Sequence, residues 1–290
     1  MATFYYYPNA TLHLCNQLLS CTEDSFNKLV EKGKMTTERF DILHALQKYR
    51  ALTLEMLSHL FDSPEDNLHE ELDALMEYGL VIKQFYEATE EGESIRTQTF
   101  YCASPSLPAK AVLPDKKNDF TWSKNLFIGD AMTILAFNQF HLTLVQLVPH
   151  KAIQAQMQYV VRGEIADGRY RLKSKRFMLG YSHLFVLAVR DFADHNLKIV
   201  EKLKKFNEAY AYSKEKMPWF ILICENKYQC CQINQRLQAE PGTRNMLIYY
   251  LLDTDLEYGD NPLLVLQTYR FANEEQETVS ETYRIDPWYD

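Results

Sequence analysis

The candidate metal ligands of this 290-residue chain lie in the stretch DFADH, where Asp191, Asp194 and His195 stand close together. Carboxylate and imidazole groups at such a spacing can ligate a metal ion. The same stretch suits a second role, because Asp194 or Asn196 can cap the helix that the following residues predict. We favour the cap, so the sequence predicts no metal site.

The stretch RGEIADGRYRLKSKR carries a row of basic residues. Alternate residues of a strand share one face, and here Tyr170, Leu172 and Phe177 largely take the opposite face. Nucleic-acid phosphates, an acidic protein surface (including the acidic ends of this chain) and plain solvent all suit such a basic face. The candidate nucleic-acid contacts are Arg169, Arg171, Lys173, Lys175 and Arg176.

Residues 63–83, SPEDNLHEELDALMEYGLVIK, predict a capped helix that ends at Gly79 and leads into a strand. The helix carries six acidic residues and no Lys or Arg, and no nearby cation offsets them. Beside DNA phosphates such a helix is repelled, and only Asn67 and His69 are suited to reading bases. We therefore interpret it as a protein-interaction surface. Its candidate contacts are Glu65, Asp66, Asn67, His69, Glu70 and Asp73.

Charge is unevenly distributed along the chain. Residues 1–110 hold 9 basic and 17 acidic residues, residues 111–252 hold 20 and 12, and residues 253–290 hold 2 and 10. The acidic and basic parts either contact each other or bind separate partners. The alternative is an uneven surface charge without functional consequence. We expect a protein partner or self-association, with DNA as a further partner.

Several function classes are disfavoured by composition. The chain has only 9 glycines and none of the phosphate-loop, dinucleotide, nucleophile-elbow or zinc-protease motifs, so we expect no small-molecule cofactor. The six cysteines lack zinc spacing and predict free thiols in a reducing, cytoplasmic compartment. No signal peptide is recognisable, and no apolar run is long enough for a membrane span.

The N-terminal third predicts mostly helix. A helix over residues 9–33 is expected, with Thr22 as a break and Gly33 as its stop. Three further helices follow, capped at Thr36 or Thr37, at Thr53 and at Ser63, the last with Pro64 as its first residue. Strands over 80–88 and 96–104 then flank the acidic tip TEEGES. A proline-rich linker sets the domain boundary near residue 108, giving domains 1–108 and 109–290.

The second domain alternates apolar strands with helices. Residues 130–148 predict a helix running into a strand, and residues 196–215 an amphipathic helix. The inward side chains of that second helix are Ile199, Leu203, Phe206 and Tyr210. The alternation favours an α/β domain with a mixed sheet, hence an α+β chain. The polar residues 273–290 predict a mobile acidic tail.

The order of helix, helix, capped helix and acidic-tipped hairpin resembles a winged helix, on the pattern of Leu72, Leu75, Gly79 and Leu80. The stretch KRFMLGYSHLFVLAVRDFADHNLKIVEKLKKFNEAYAYSKEKMPWFILICEN adds two strands, a basic helix and a buried strand. With it, most of residues 37–240 is similar to the replication-relaxation family of bacterial plasmids, phages and conjugative elements. That family implies a winged helix followed by a domain like the restriction-endonuclease core.

Nucleases of that fold bind a divalent ion with one Asp and an Asp/Glu-x-Lys. The matching places here hold Phe177-Met178 and Leu187-Ala188-Val189, and Ala193 follows Asp191 where a lysine is needed. Asp167, in a predicted turn, is the only other candidate acid. The resemblance thus implies a non-catalytic accessory or regulatory protein of a mobile genetic element. The alternatives are a metal-dependent DNA nuclease and a conventional winged-helix repressor.

Overall fold

A computed structural model describes residues 4–7, 9–108, 111, 128–148, 153–161, 164–173, 181–190, 195–211, 218–243, 246–256, 265–273 and 276–284. The chain is α+β, and it forms two compact units. The N-terminal unit is Tyr7–Asn138; the C-terminal unit comprises Met1–Tyr6 and Gln139–Asp290. The division between Asn138 and Gln139 falls within a helix, further along the chain than the boundary predicted near residue 108.

Local capping begins the first helices of the N-terminal unit. The side chains of Thr22, Thr36 and Thr53 each accept a backbone N–H three residues further on, as N-cap residues do. The expected cap at Ser63 is wrong: Pro64 occupies the N-cap position and offers no side-chain cap, so the fourth helix begins one residue later than expected, at Glu65. The helices are α1 Glu23–Glu31, α2 Thr37–Tyr49, α3 Leu54–Phe61 and α4 Glu65–Glu77.

A four-stranded antiparallel sheet completes this unit, with β2 pairing with each of the other three strands. Glu91 and Gly92, both at positive φ, form the two-residue turn between β2 and β3. The predicted strand over 96–104 is two strands, because the Thr97 hydroxyl takes the backbone N–H of Tyr86 and interrupts the ladder. The strands are β1 Thr11–Leu14, β2 Val81–Glu90, β3 Glu93–Arg96 and β4 Phe100–Ala103.

The predicted helix over 9–33 is wrong in its first half. Thr11–Leu14 pairs with β2, from Thr11 opposite Glu87 to Leu14 opposite Gln84, and only the part after Thr22 is helical. The apolar spacing predicted that the backbone groups of this stretch bond within a helix. They bond instead to the edge of a strand distant in sequence, which satisfies them equally well. The break at Thr22 and the stop at Gly33, with φ 64°, are confirmed.

The core of the N-terminal unit follows apolar stripes at helical spacing on α2 and α4. On α2, Leu43, Leu46 and Tyr49 are buried, whereas Phe40 is only half-buried. On α4 the stripe is Leu68, Leu72 and Leu75, with Met76 half-buried. These stripes anchor one side of α4 and leave its acidic side outward.

Ile128–Leu147 is one helix, α5, so the strand expected at its end is absent from this stretch. It is apolar on nearly every side, as buried helices are. Its buried amides bond to backbone carbonyls: Asn138 Nδ2 to Tyr49 and Ala51, and Gln139 Nε2 to Leu256. These bonds offset the cost of burying two amides.

The C-terminal unit is built on a seven-stranded mixed sheet, in the order β11-β10-β9-β8-β7-β6-β5. The first three strands run antiparallel, β7, β8 and β9 run parallel, and the last two return antiparallel. Helices cross between the parallel strands. The elements are β5 Ile153–Val161, β6 Glu164–Lys173, β7 Tyr181–Ala188, α6 His195–Ala211, β8 Trp219–Cys224, α7 Lys227–Ala239, β9 Leu247–Leu252, β10 Val265–Asn273 and β11 Gln276–Arg284.

Two faces of this sheet are covered by helices. Phe206 of α6 stacks on Phe185, within a core that also includes Ile233 of α7. On the opposite face, Phe140 of α5 meets the edge of Tyr170, whose hydroxyl lies 3.0 Å from His141 Nδ1. The inward residues predicted for α6 are confirmed, with Tyr210 partly buried against the core.

The expectation of a mobile tail is corrected for residues 276–284. They form β11, which pairs with β10 from Gln276 opposite Asn273 to Arg284 opposite Val265. Main-chain pairing is indifferent to polar side chains, so composition alone missed this strand. Among the helices of the described ranges, none has the length and apolar character that crossing a bilayer requires.

Candidate functional site

The outward face of α4 is acidic and open to solvent. Glu65, Asp66, Asn67, Glu70 and Asp73 are exposed, and His69 is half-buried. The predicted interaction residues therefore share one accessible helix surface. With four acidic residues exposed on it, this face presents a negative field.

A groove of about 580 Å³ lies beside this face, between the start of α2 and the turn joining α3 to α4. Three apolar residues contribute to its lining, Ile42, Phe61 and Leu68. Carboxylates also line it, and they are Glu38, Asp41, Asp62, Glu70 and Glu71. Apolar surface combined with negative charge suits a segment that carries both an apolar side chain and positive charge.

One cation does offset the acids of α4, contrary to the sequence expectation. Arg39 of α2 lies with its Nε 2.5 Å from Glu71 Oε2, and its guanidinium is 5.7 Å from the centre of the Tyr78 ring. The pair joins α2 to α4 at the edge of the groove. Since α2 and α4 lie far apart in sequence, spacing along α4 alone did not reveal it.

The predicted basic row is only partly described. Arg169 and Arg171 lie on one face of β6 and are half-buried, while Tyr170 and Leu172 are buried on the other. Lys173 is described for its backbone alone, and Lys175, Arg176 and Phe177 lie outside the described residues.

Arg169 and Arg171 share their face with neighbours on both adjacent strands. Arg171 is opposite His183 on β7 and Gln154 on β5, and Arg169 is opposite Phe185. Arg169 Nη2 lies 3.2 Å from His183 Nδ1. The Nε atoms of both arginines are out of solvent, so these side chains are packed along their length rather than held out in water.

The place where an endonuclease-like domain would hold a metal is apolar on β7. Leu187, Ala188 and Val189 are all buried. Asp167 lies within β6, not in a turn as predicted, and its Oδ2 accepts the backbone N–H of Ala188 at 2.8 Å. The carboxylate thus takes the place of a backbone carbonyl in the pairing of β6 with β7. The sequence of β7 contains no second acidic residue.

Most of the DFADH stretch lies outside the described residues. Asp191, Ala193 and Asp194 lie outside the described residues, and His195 and Asn196 are described for their backbone only. Within the described part of the chain, His, Cys, Asp and Glu side chains form no group of three suited to a metal ion. The six cysteines are free thiols, and Cys15 alone is exposed.

Sequence reasoning missed a cluster of charged residues at the carboxyl ends of the three parallel strands. Arg190 follows β7, Glu225 follows β8 and Asp253 follows β9, with 0, 3 and 1% of their surfaces exposed. Arg190 Nη2 lies 3.0 Å from Asp253 Oδ1. Its Nη1 donates to the carbonyl of Val189 at 2.7 Å.

Burial dominates the electrostatics of this cluster. It raises the pKa of Asp253, although the Arg190 guanidinium and the backbone N–H of Phe4 oppose the rise. It also raises the pKa of the neighbouring Cys224 thiol, with the Cys230 thiol adding to the effect. Ligands of open α/β sheets bind at this end of the strands, so the cluster is a second candidate site.

A signal for this cluster exists in the sequence. Each of three apolar runs ends in a charged residue, in FVLAVR, WFILICE and LIYYLLD. Because parallel strands end at the same edge of a sheet, their first charged residues converge there.

Comparison of the chain with family models, with curated proteins and with solved structures gives no match.

Proposed function

We propose that the chain is a non-catalytic accessory or regulatory protein that acts by binding a cationic segment of a partner protein along α4. The groove carries this proposal, because it combines an apolar lining with five carboxylates. Such a surface repels nucleic-acid phosphates and attracts Lys and Arg side chains. The partner of this surface is then a protein and not DNA.

The architecture of the N-terminal unit supports a winged helix. Helices α2, α3 and α4 precede the β2 and β4 strands, and β2 and β3 form the hairpin with the acidic tip. Leu52, between α2 and α3, pairs with Tyr101 through backbone bonds of 2.8 and 3.1 Å. In a winged helix with this order of elements, α4 stands in the place of the recognition helix.

The order of elements from α5 to β8 supports a likeness to the restriction-endonuclease core. One helix precedes three antiparallel strands, and a crossover helix returns to a parallel fourth strand. The apolar Leu187, Ala188 and Val189 favour an endonuclease-like fold that lacks the acidic metal ligands of a nuclease at this position. Membership of the replication-relaxation family, and with it a mobile genetic element, rests on the resemblance of most of residues 37–240 to that family, carried by residues 175–226.

The test is a titration of the full chain with a synthetic cationic amphipathic peptide of Lys and Leu. The first variant removes three groove charges, Glu38→Gln, Asp41→Asn and Glu70→Gln. A matched control removes three charges from the hairpin tip, Glu90→Gln, Glu91→Gln and Glu93→Gln, all exposed. We expect the groove variant to weaken binding at least tenfold and the control to bind like the natural chain.

Two results would overturn the proposal. Equal loss in both variants would mean that the peptide responds to net charge alone. No binding of the peptide to the natural chain, at low salt, would remove the groove as a cationic-segment site. A polyglutamate peptide serves as the negative control, since the same field repels it.

A second candidate function, DNA contact through β6, rests on the alternating basic residues of that strand, of which Arg169 and Arg171 keep only part of their surface exposed. It is tested by titrating a generic duplex over a salt series with Arg169→Gln, Arg171→Gln and Lys173→Gln combined. Binding through phosphate contacts falls steeply with salt, and the variant lowers that slope. Absence of binding at low salt removes this candidate and leaves the groove proposal untouched.

A further inference from the structure

The segment Phe4–Tyr6 crosses the carboxyl ends of β8 and β9 within the C-terminal unit. The backbone N–H of Phe4 donates to Asp253 Oδ2 at 3.2 Å, and that of Tyr6 donates to Glu225 Oε1. The two N–H groups belong to residues two apart, the spacing at which an extended peptide presents N–H groups on one side. Two buried carboxylates therefore hold the main chain of this segment.

The side chains of the segment divide into an anchor and a cover. Phe4 is wholly buried, whereas Tyr5 and Tyr6 are half-buried. Burial raises the pKa of Tyr5, and the nearby carboxylates of Asp253 and Glu225 raise it further, while Arg190 opposes the rise. Main-chain hydrogen bonds combined with one side-chain pocket are the way in which proteins bind extended peptides.

The site beneath the segment contains buried charged side chains, which water would solvate if the segment left. Arg190 pairs with one oxygen of Asp253, and the second oxygen bonds to the Phe4 N–H. The backbone of Glu225 is fixed by Gln229, whose Oε1 accepts the Glu225 N–H at 2.9 Å. Departure of the segment would rehydrate both carboxylates, which offsets part of the burial and hydrogen bonding lost.

We propose that the carboxyl ends of β8 and β9 form a binding site for an extended peptide with an aromatic anchor, which this chain fills with its own Phe4–Tyr6. The ligand class is a peptide main chain with free N–H groups at alternate residues and an aromatic side chain at the first of them. A peptide of a partner competes with Phe4–Tyr6 for the same carboxylates. This inference is independent of the groove on α4.

The test uses a fluorescent peptide of residues 1–8 and two full-length chains, natural and Phe4→Ala. Losing the anchor frees the site for a larger fraction of the time, and apparent affinity rises with that fraction. We expect the Phe4→Ala chain to bind the peptide at least tenfold more tightly than the natural chain. A control peptide with N-methyl Tyr6 lacks the N–H that Glu225 accepts and should bind at least tenfold more weakly.

Equal peptide affinity for the two chains, or equal binding of the N-methyl peptide, would overturn the proposal. A second measurement needs no variant, namely amide exchange in the natural chain. A displaceable segment opens locally, so the Phe4 and Tyr6 amides should exchange at least a hundredfold faster than those of Leu222 and Tyr250. Exchange of all four only by global unfolding would also overturn it.

Discussion

On α4 the carboxylates of Glu65, Asp66 and Glu70 are exposed, whereas at the ends of β8 and β9 those of Glu225 and Asp253 are almost wholly buried. Each region contains one arginine pair, Arg39–Glu71 in the first and Arg190–Asp253 in the second. Burial, and not the number of acidic residues, therefore decides what a carboxylate does. Exposed acids set a field for a partner, and buried acids must be matched by specific donors.

The largest effect is expected from breaking the buried pair. In Asp253→Ala, Arg190 loses its carboxylate while remaining out of water, and the loss in free energy of unfolding should be about 3–5 kcal/mol. Urea unfolding measures it. The double variant Arg190→Met with Asp253→Leu removes both charges and should recover most of the loss. A single-variant loss under about 1 kcal/mol would show that water reaches the site.

An intermediate effect is expected where α4 ends. Gly79 has φ 70°, and a Cβ there would lie 2.7 Å from the backbone oxygen of Leu19. Gly33, which ends α1 at φ 64°, has open space at the same position. Gly33→Ala should cost about 1–2 kcal/mol through its left-handed backbone alone. Gly79→Ala should cost at least about 1 kcal/mol more, since it also overpacks a backbone contact.

Thermal unfolding of the two glycine variants side by side tests that difference, because each is a helix end with the same residue change. Equal shifts in Tm would mean that the loop carrying Leu19 yields without cost. This result would mean that the close approach of the Leu19 backbone does not hold the end of α4 in place. It would leave the acidic face itself unchanged.

The smallest effect is expected from the exposed counterpart of the buried pair. Glu71→Gln removes the ionic partner of Arg39, where both side chains still reach solvent, and should cost no more than about 1 kcal/mol. Chemical denaturation at low and at high salt measures it, and the difference from the natural chain should shrink at high salt. A cost as large as that of Asp253→Ala would abolish the contrast between the two regions.

The sequence anticipated what neighbouring residues decide. Thr36 and Thr53 cap the helices they were expected to cap, and Gly33 ends α1, because each acts on groups within a few residues. The apolar stripes of α4 and α6 were likewise readable, since helical spacing fixes which side chains share a face. The acidic face of α4 follows directly from those stripes.

What the sequence did not determine depends on distant pairing. Thr11–Leu14 has helical spacing yet becomes a strand, because the edge of β2 is available to it. Residues 276–284 pair with β10 despite their polar composition. Arg190, Glu225 and Asp253 converge only because β7, β8 and β9 run parallel, an arrangement that two crossover helices impose. Local propensity determined the helices and their charged faces, and tertiary pairing decided which charges are buried together.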